Sequence, residues 1–146
     1  MVWKGFLELK NEFVNVEFRY VSGCKDLANA SLPQDQPSMA TLRIDQRMRL
    51  EPTHLSGVRT KMQQAAEHCV LLALPCGNDP QDMAHQSRNL RSHFTTYLQL
   101  KGVAGIVNLL GADQEGYVVH FFPSGDFANE TMTSISADLL AKAWTS

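Results

Sequence analysis

Hydrophobic and polar residues alternate with a period of two near the start of the chain, which is typical of β-strands. Residues 2–9 predict a first strand, and residues 14–20 predict a second that ends at Ser22-Gly23. Residues 25–32 predict a short helix, and residues 33–38, with two prolines among polar neighbours, predict an exposed loop.

Residues 41–50 predict a third strand with two unlike faces. Successive side chains of a strand point to opposite faces. One face carries Leu42, Ile44, Gln46, Met48 and Leu50, and the other carries Arg43, Asp45, Arg47 and Arg49. The strand is therefore apolar on one side and rich in arginine on the other.

The rest of the chain mixes helices and strands. Pro52 suits the first turn of a helix over residues 52–66, and the apolar run 69–74 predicts a central buried strand. Asp79-Pro80 caps a long helix whose apolar stripe is Met83, Leu90, Phe94 and Leu98, with Gly102 as its end. Strands over 105–110 and 117–122 flank a turn at 111–116, and residues 138–144 predict a last short helix. This order indicates an α+β fold built on an antiparallel sheet or barrel.

Composition narrows the class of protein. The 146 residues fit one domain, and no apolar run is long enough to span a membrane. The N-terminus lacks a basic segment followed by an apolar one, so the sequence does not indicate secretion. Cys24, Cys69 and Cys76 are odd in number and lack C-x-x-C spacing, which indicates reduced, partly buried thiols in a cytosolic or nuclear protein. We expect no metal site and no cofactor.

Catalytic motifs are absent from the sequence. The histidines are His54, His68, His85, His93 and His120, and they form neither H-E-x-x-H nor a triad pattern; G-x-S-x-G and a glycine-rich phosphate loop are also missing. We therefore expect a protein that is not an enzyme. A hydrolase would require a histidine hydrogen-bonded to a nucleophile in a pocket.

The arginine face of residues 41–50 has two interpretations. It is either a solvated outer face or an anion site, and the mutual repulsion of three arginines favours an anion nearby. Tyr97 and Lys101 lie four residues apart, so both reach one face of the long helix. Tyr97 either packs in the core or presents its hydroxyl to a ligand. The net charge of −2 requires any anion binding to come from local clustering.

Six collinear segments carry a family resemblance. They are VWKGFLELKN (2–11), LRIDQRMRLE (42–51), CVLLALPCG (69–77), FTTYLQLKGVAGIVN (94–108), FFPSGDF (121–127) and DLL (138–140). In this order they resemble the SPOC domain of the Split ends (Spen/SHARP) family, in particular the branch of large transcriptional corepressors. The resemblance covers nearly the whole chain.

The resemblance implies a distorted, mostly antiparallel seven-stranded β-barrel decorated by helices. It further implies that residues 1–146 form a single, monomeric SPOC domain at the C-terminus of a much longer nuclear protein, which contacts RNA through its other domains. The implied partners are phosphorylated acidic tails of SMRT/NCoR-type corepressors. Related SPOC domains also bind the phosphorylated C-terminal repeat of RNA polymerase II and subunits of an RNA methylation complex.

The family's phosphopeptide-binding positions fall on residues of matching type, namely Lys10, Arg43, Arg47, Arg49 and Tyr97, and Lys101 lies beside them. By this resemblance Arg47 and Arg49 make the main phosphate contacts. The alternative is direct nucleic-acid binding through the same patch, which the low net charge disfavours and a steep salt dependence would support. Family members continue past the last helix into a further apolar strand, and this sequence ends at Ser146.

Overall fold

The computed structural model describes residues 2–33, 40–64, 67–109 and 117–145, with the backbone alone from residue 136 onward. The strands are β1 (Trp3–Leu9), β2 (Glu12–Gly23), β3 (Thr41–Arg43), β4 (Gln46–Arg49), β5 (Cys69–Pro75), β6 (Val103–Leu109) and β7 (Tyr117–Phe121). The helices are α1 (Lys25–Ser31), α2 (Pro52–Met62), α3 (Pro80–Asn89), α4 (Thr96–Lys101) and α5 (Asp126–Thr145), and a π-helical segment (Leu90–Thr95) joins α3 to α4.

The described strands form two sheets. One has the order β3-β1-β2-β5 and the other the order β4-β6-β7. All pairs are antiparallel except β1 with β3, which run parallel. The α+β class and the seven strands are confirmed. Within the described part of the chain, however, the hydrogen bonding does not close into the predicted barrel.

One hydrophobic core lies between the sheets. Its largest fully buried side chains are Phe18, Leu7, Val14 and Val16, all from β1 and β2. Leu42 of β3 and the adjacent Ile44 join them, together with Phe94 of the π-helical segment and Val107 and Leu109 of β6. The alternation of buried and exposed residues along β1 confirms the predicted period of two.

The single strand predicted over residues 41–50 is wrong, because the segment divides between the two sheets. The Ile44 amide donates to the Glu8 carbonyl oxygen of the first sheet (2.8 Å), and Gln46 pairs with Ile106 of the second. The predicted faces nonetheless hold: Leu42 and Ile44 are buried, whereas all three arginines are exposed.

The predicted place of residues 69–74 at the centre of the sheet is also wrong. Strand β5 pairs only with β2 among the described strands, so it lies at an edge. Its residues are half-buried rather than buried, and Leu72 is exposed. An apolar run indicates a strand, but it does not distinguish a central strand from an edge strand covered on its faces.

The helices follow the prediction in part. Asp79 accepts the Asp82 amide as the N-cap of α3, and Gly102 ends α4 in the left-handed conformation, as expected. The predicted apolar stripe of the long helix is buried only in part: Phe94 and Leu98 are buried, whereas Met83 is exposed. The last helix begins at Asp126, well before the predicted residue 138.

The loop predicted at 33–38, apart from Pro33, and the turn predicted at 111–116 lie outside the described residues. So do residues 65–66, at the end of the helix predicted over 52–66. Among the helices that the structure describes, none combines the length and the apolar character needed to cross a membrane.

Candidate functional site

Tyr97 is the centre of the candidate site. Helix α4 anchors on the core through Phe94 just before it and through Leu98, which are 3% exposed each. Tyr97 lies at the edge of that buried stripe and is half-buried. The ring packs against the core, which confirms the first interpretation, and the hydroxyl reaches the surface; its contact with a ligand stays a prediction.

Arg47 binds the Tyr97 hydroxyl. One terminal nitrogen of its guanidinium donates to the hydroxyl oxygen at 2.7 Å, across 50 residues of sequence. Because the tyrosine oxygen accepts this bond, its own proton stays available to a ligand oxygen. Arg47 is itself exposed, so its remaining guanidinium N–H groups are accessible from the surface.

Lys10 reaches Tyr97 from the turn between β1 and β2. Leu9 pairs with Glu12, and the two residues between them have positive φ angles, 50° at Lys10 and 66° at Asn11. Positive φ at both central residues defines a type I′ hairpin turn. The turn places the Lys10 ammonium 4.6 Å from the centre of the Tyr97 ring.

Lys101 completes this group from the end of α4, with its ammonium 5.9 Å from the Tyr97 ring centre. We call Lys10, Arg47, Tyr97 and Lys101 the Tyr97 cluster. The pKa of the Tyr97 hydroxyl is lowered, first because Lys10 can donate to it and further because Arg47 and Lys101 add positive charge. The lowered pKa shows that the local field favours negative charge at this point.

No carboxylate neutralises the cations of the cluster among the residues that the structure describes. The ion pairs recorded there involve other residues, and none includes Lys10, Arg47 or Lys101. Three cations around one tyrosine side chain without a counter-ion among the described residues are suited to an incoming anion. The excess positive charge is local, because the whole chain carries a net charge of −2.

Of the other two predicted site residues, Arg49 lies near Arg47 on the same strand, whereas Arg43 lies on the other sheet. Arg49 lies two residues beyond Arg47 on the same exposed face of β4, and its guanidinium is 3.7 Å from the Glu51 carboxylate. Both of these side chains are more than half exposed, so the ion pair is weak. Arg43 lies on β3 opposite Glu8 in the first sheet, beside a cavity that Asp45 and Asn108 also line.

The described histidines and cysteines form no catalytic pair. His54 and His68 contact the main-chain oxygens of Arg49 and Gln64, and His93 lies 3.9 Å from Glu12. The cysteines are free and half-buried, as predicted. Burial, together with the neighbouring Cys24, raises the pKa of the Cys69 thiol to about 11, which makes it a poor nucleophile at neutral pH.

Two features that shape the site are not evident from simple periodicity. The two-residue turn carries a weak signal, since asparagine tolerates positive φ whereas lysine rarely adopts it. The π-helical segment directly before α4 gives no signal in the apolar spacing, although such segments are frequent at functional sites.

Comparisons with known proteins give one consistent family. A family model described as the SPOC domain matches residues 1–143. The chain is 51% identical to Protein split ends of Drosophila melanogaster over 95% of its length, and 44% identical to the Msx2-interacting protein of Homo sapiens over 97%. It is 33% identical to RNA-binding protein spenito of Drosophila melanogaster over 90%. It spans 3%, 4% and 17% of the lengths of these three relatives.

The family match and both larger relatives cover the segments that build the core and the Tyr97 cluster. The chain therefore belongs to the SPOC domain family of Spen proteins, whose SPOC domains mediate protein–protein interaction.

Proposed function

We propose that this domain binds acidic, serine-phosphorylated peptides through the Tyr97 cluster, with Arg49 as an additional contact. The observation that carries the proposal is the arrangement of three cations around the Tyr97 side chain with no carboxylate partner among the described residues. A phosphoserine carries close to two negative charges and three acceptor oxygens, which match several donors at once.

The number of donors is sufficient for a functional affinity. Each charge-assisted hydrogen bond contributes roughly 1.5–3 kcal/mol. Micromolar binding needs about 8 kcal/mol. Arg47, Lys10 and Lys101 supply three such contacts, and the Tyr97 hydroxyl adds a neutral donor. Arg49 joins them when the ligand displaces its weak ion pair with Glu51.

Phosphopeptide binding fits the site better than nucleic-acid binding. Single-stranded nucleic acids need aromatic faces on which bases stack, in a broadly positive groove. The Lys10 ammonium lies over the face of Tyr97, and the net charge of the chain is negative. Arg43, the third arginine of the predicted basic face, lies on the other sheet.

The cellular role that we propose is recruitment in the nucleus. The relatives are Spen proteins, and one of them is named for its interaction with another protein. We infer that this chain is the C-terminal domain of a long nuclear regulator. Its proposed partners are phosphorylated tails of SMRT/NCoR-type corepressors, with the phosphorylated polymerase repeat and RNA methylation subunits as further ligands of the same chemistry.

Replacement of Arg47 tests the proposal directly. Arg47→Ala should weaken binding of a fluorescein-labelled acidic phosphoserine peptide about tenfold, because one charge-assisted contact is lost. The melting temperature should change little, since Arg47 is exposed. Arg19→Ala is the matched control: Arg19 is also an exposed strand arginine, but it pairs with Glu17 away from the cluster.

Unchanged affinity of Arg47→Ala would remove the cluster from the binding site. Equal losses in both variants would instead indicate attraction by general positive charge. Tight, steeply salt-dependent binding of a single-stranded oligonucleotide, abolished by Arg47→Ala, would favour the nucleic-acid alternative.

A further inference from the structure

An apolar cavity lies on the other side of helix α4 from the Tyr97 cluster. Its volume is about 170 Å³. Most of its walls are apolar and include Leu50, Phe122 and Phe127, next to Gly125, and the polar wall residues are Gln99, Ser124 and Asp126. The two phenylalanine rings pack together with their centres 4.5 Å apart. The Gln99 side-chain amide donates to the Ser124 carbonyl oxygen at 2.7 Å, which holds the loop before α5 against α4.

The exposed side of α4 connects this cavity to the cluster. Residues three or four apart are neighbours on a helix surface, so Leu100 adjoins Tyr97 on one side and Thr96 on the other, and Thr96 adjoins Gln99. Leu100 is 83% exposed, the highest value among the large apolar side chains of the described chain. A peptide that leaves the cluster in this direction passes over an apolar residue before it reaches the cavity.

Charge complementarity continues at the far end of this route. The Arg59 guanidinium lies 5.1 Å from the centre of the Phe127 ring, and its other contact is Glu130 at 3.6 Å. Arg59 is about half exposed. A peptide that crosses α4 therefore meets the cations of the Tyr97 cluster at one end, the exposed Leu100 next, and at the other end Arg59, whose exposed ion pair with Glu130 an acidic residue can displace.

We propose that the cavity binds one branched aliphatic side chain of the same acidic peptide whose phosphate occupies the Tyr97 cluster. This inference rests on the proposed function and specifies its ligand further. Apolar cavities of about 150 Å³ accommodate a ligand as large as benzene, so a leucine side chain fits. A helix is about 10 Å across and an extended chain rises about 3.3 Å per residue, so three or four residues separate leucine from phosphoserine.

Gly125 offers a way to fill the cavity without disturbing the cluster. A Cβ built on Gly125 meets no atom closer than 3.9 Å, and Gly57 on α2 has no neighbour within 4 Å. Gly125→Leu should therefore fill the cavity from its own wall, and Gly57→Leu is the matched control elsewhere on the surface. Circular dichroism and a thermal melt establish that both variants fold.

The test uses fluorescence polarisation with acidic phosphoserine peptides that carry leucine three or four residues to either side, and with the same peptides carrying serine instead. The wild-type domain should bind the leucine peptide of the correct spacing about tenfold more tightly, which corresponds to about 1.4 kcal/mol. Gly125→Leu should abolish this preference and leave the serine peptide unaffected. Gly57→Leu should change neither affinity.

Nuclear magnetic resonance of the wild-type domain provides a second measurement that does not depend on a variant. The Gly125 amide and the Gln99 side-chain amide should shift with the leucine peptide and not with the serine peptide. Equal binding of both peptides, or a leucine preference that survives in Gly125→Leu, would overturn the inference while the proposed function stands. Failure of every peptide to bind would overturn both.

Discussion

Lys10 occupies a backbone conformation that lysine rarely adopts, and it does so at the candidate site. A left-handed conformation costs an ordinary L-residue roughly 1–2 kcal/mol. Its neighbour Asn11 has the same conformation at lower cost, because asparagine tolerates it. The turn therefore holds the lysine ammonium over Tyr97 at some expense in stability.

Lys10→Asn should separate stability from binding. The free energy of unfolding should rise by up to about 1 kcal/mol, because asparagine suits the turn better than lysine. Affinity for the phosphopeptide should fall about fivefold to tenfold, because an ammonium is lost. Urea denaturation and fluorescence polarisation measure the two effects.

Asn11→Gly is the matched control for Lys10→Asn. It relaxes the same turn without removing a charge, so stability should rise and affinity should stay constant. Wild-type affinity in Lys10→Asn would exclude the lysine from the site.

The lowered pKa of Tyr97 provides a spectroscopic readout of the cluster. Lys10 is its first cause, and the charges of Arg47 and Lys101 add to it. Lys10→Asn should therefore raise the Tyr97 pKa, and so should a bound phosphopeptide, because its negative charge opposes the phenolate. Titration of the Tyr97 ring-carbon resonance measures both shifts.

The lowered Tyr97 pKa affects the stability of the fold in one direction. The folded domain releases the Tyr97 proton at lower pH than the unfolded chain does, so this group stabilises the fold increasingly as pH rises through its folded pKa. The stabilisation is complete above the unfolded pKa and is lost as the pH falls through the folded pKa. A Tyr97 pKa that is unaffected by saturating peptide would place the phosphate elsewhere.

At the scale of residues, the alternation of side chains along residues 41–50 correctly predicts which arginines are exposed. It does not predict that Tyr97 is the common partner of Arg47, Lys10 and Lys101, because Arg47 is 50 residues away in sequence and Lys10 reaches it through a turn of unusual geometry. The resemblance to SPOC domains points to the same positions, but their mutual distances come only from the fold.

At the scale of elements, residues 41–50 show why a periodic pattern can conceal a break. The alternation continues through Ile44 and Asp45 although the chain moves from one sheet to the other there. Gly105 permits this crossing, because a Cβ at that position would lie 2.7 Å from Cγ2 of Ile44. The need for glycine at position 105 depends on Ile44, which is distant in sequence, so neither segment reveals it alone.

Two glycine-to-alanine substitutions should have opposite effects on stability. Gly57 lies within α2, and a Cβ there meets no atom within 4 Å. Gly57→Ala should therefore raise the free energy of unfolding by about 0.5–1 kcal/mol, because alanine favours a helix more than glycine does. Gly105→Ala should lower it by about 1–3 kcal/mol, because Ile44 must move. Urea denaturation of both variants measures this, and a stable Gly105→Ala would mean that the close contact with Ile44 is not required.

Across the whole molecule, the Tyr97 cluster lies where the two sheets and one helix meet. Lys10 comes from the first sheet, Arg47 from the second, and Tyr97 and Lys101 from α4. The cluster therefore forms only when these parts are assembled, which explains how a chain with a net charge of −2 can carry a concentrated basic site.

The most direct test of this account is a titration of the wild-type domain with one acidic serine peptide in phosphorylated and unphosphorylated forms, followed by fluorescence polarisation. The account predicts that phosphorylation tightens binding about tenfold, or about 1.4 kcal/mol, because the Tyr97 cluster gains a dianionic ligand. Equal affinity for the two forms would contradict the assignment of the cluster as a phosphate-binding site.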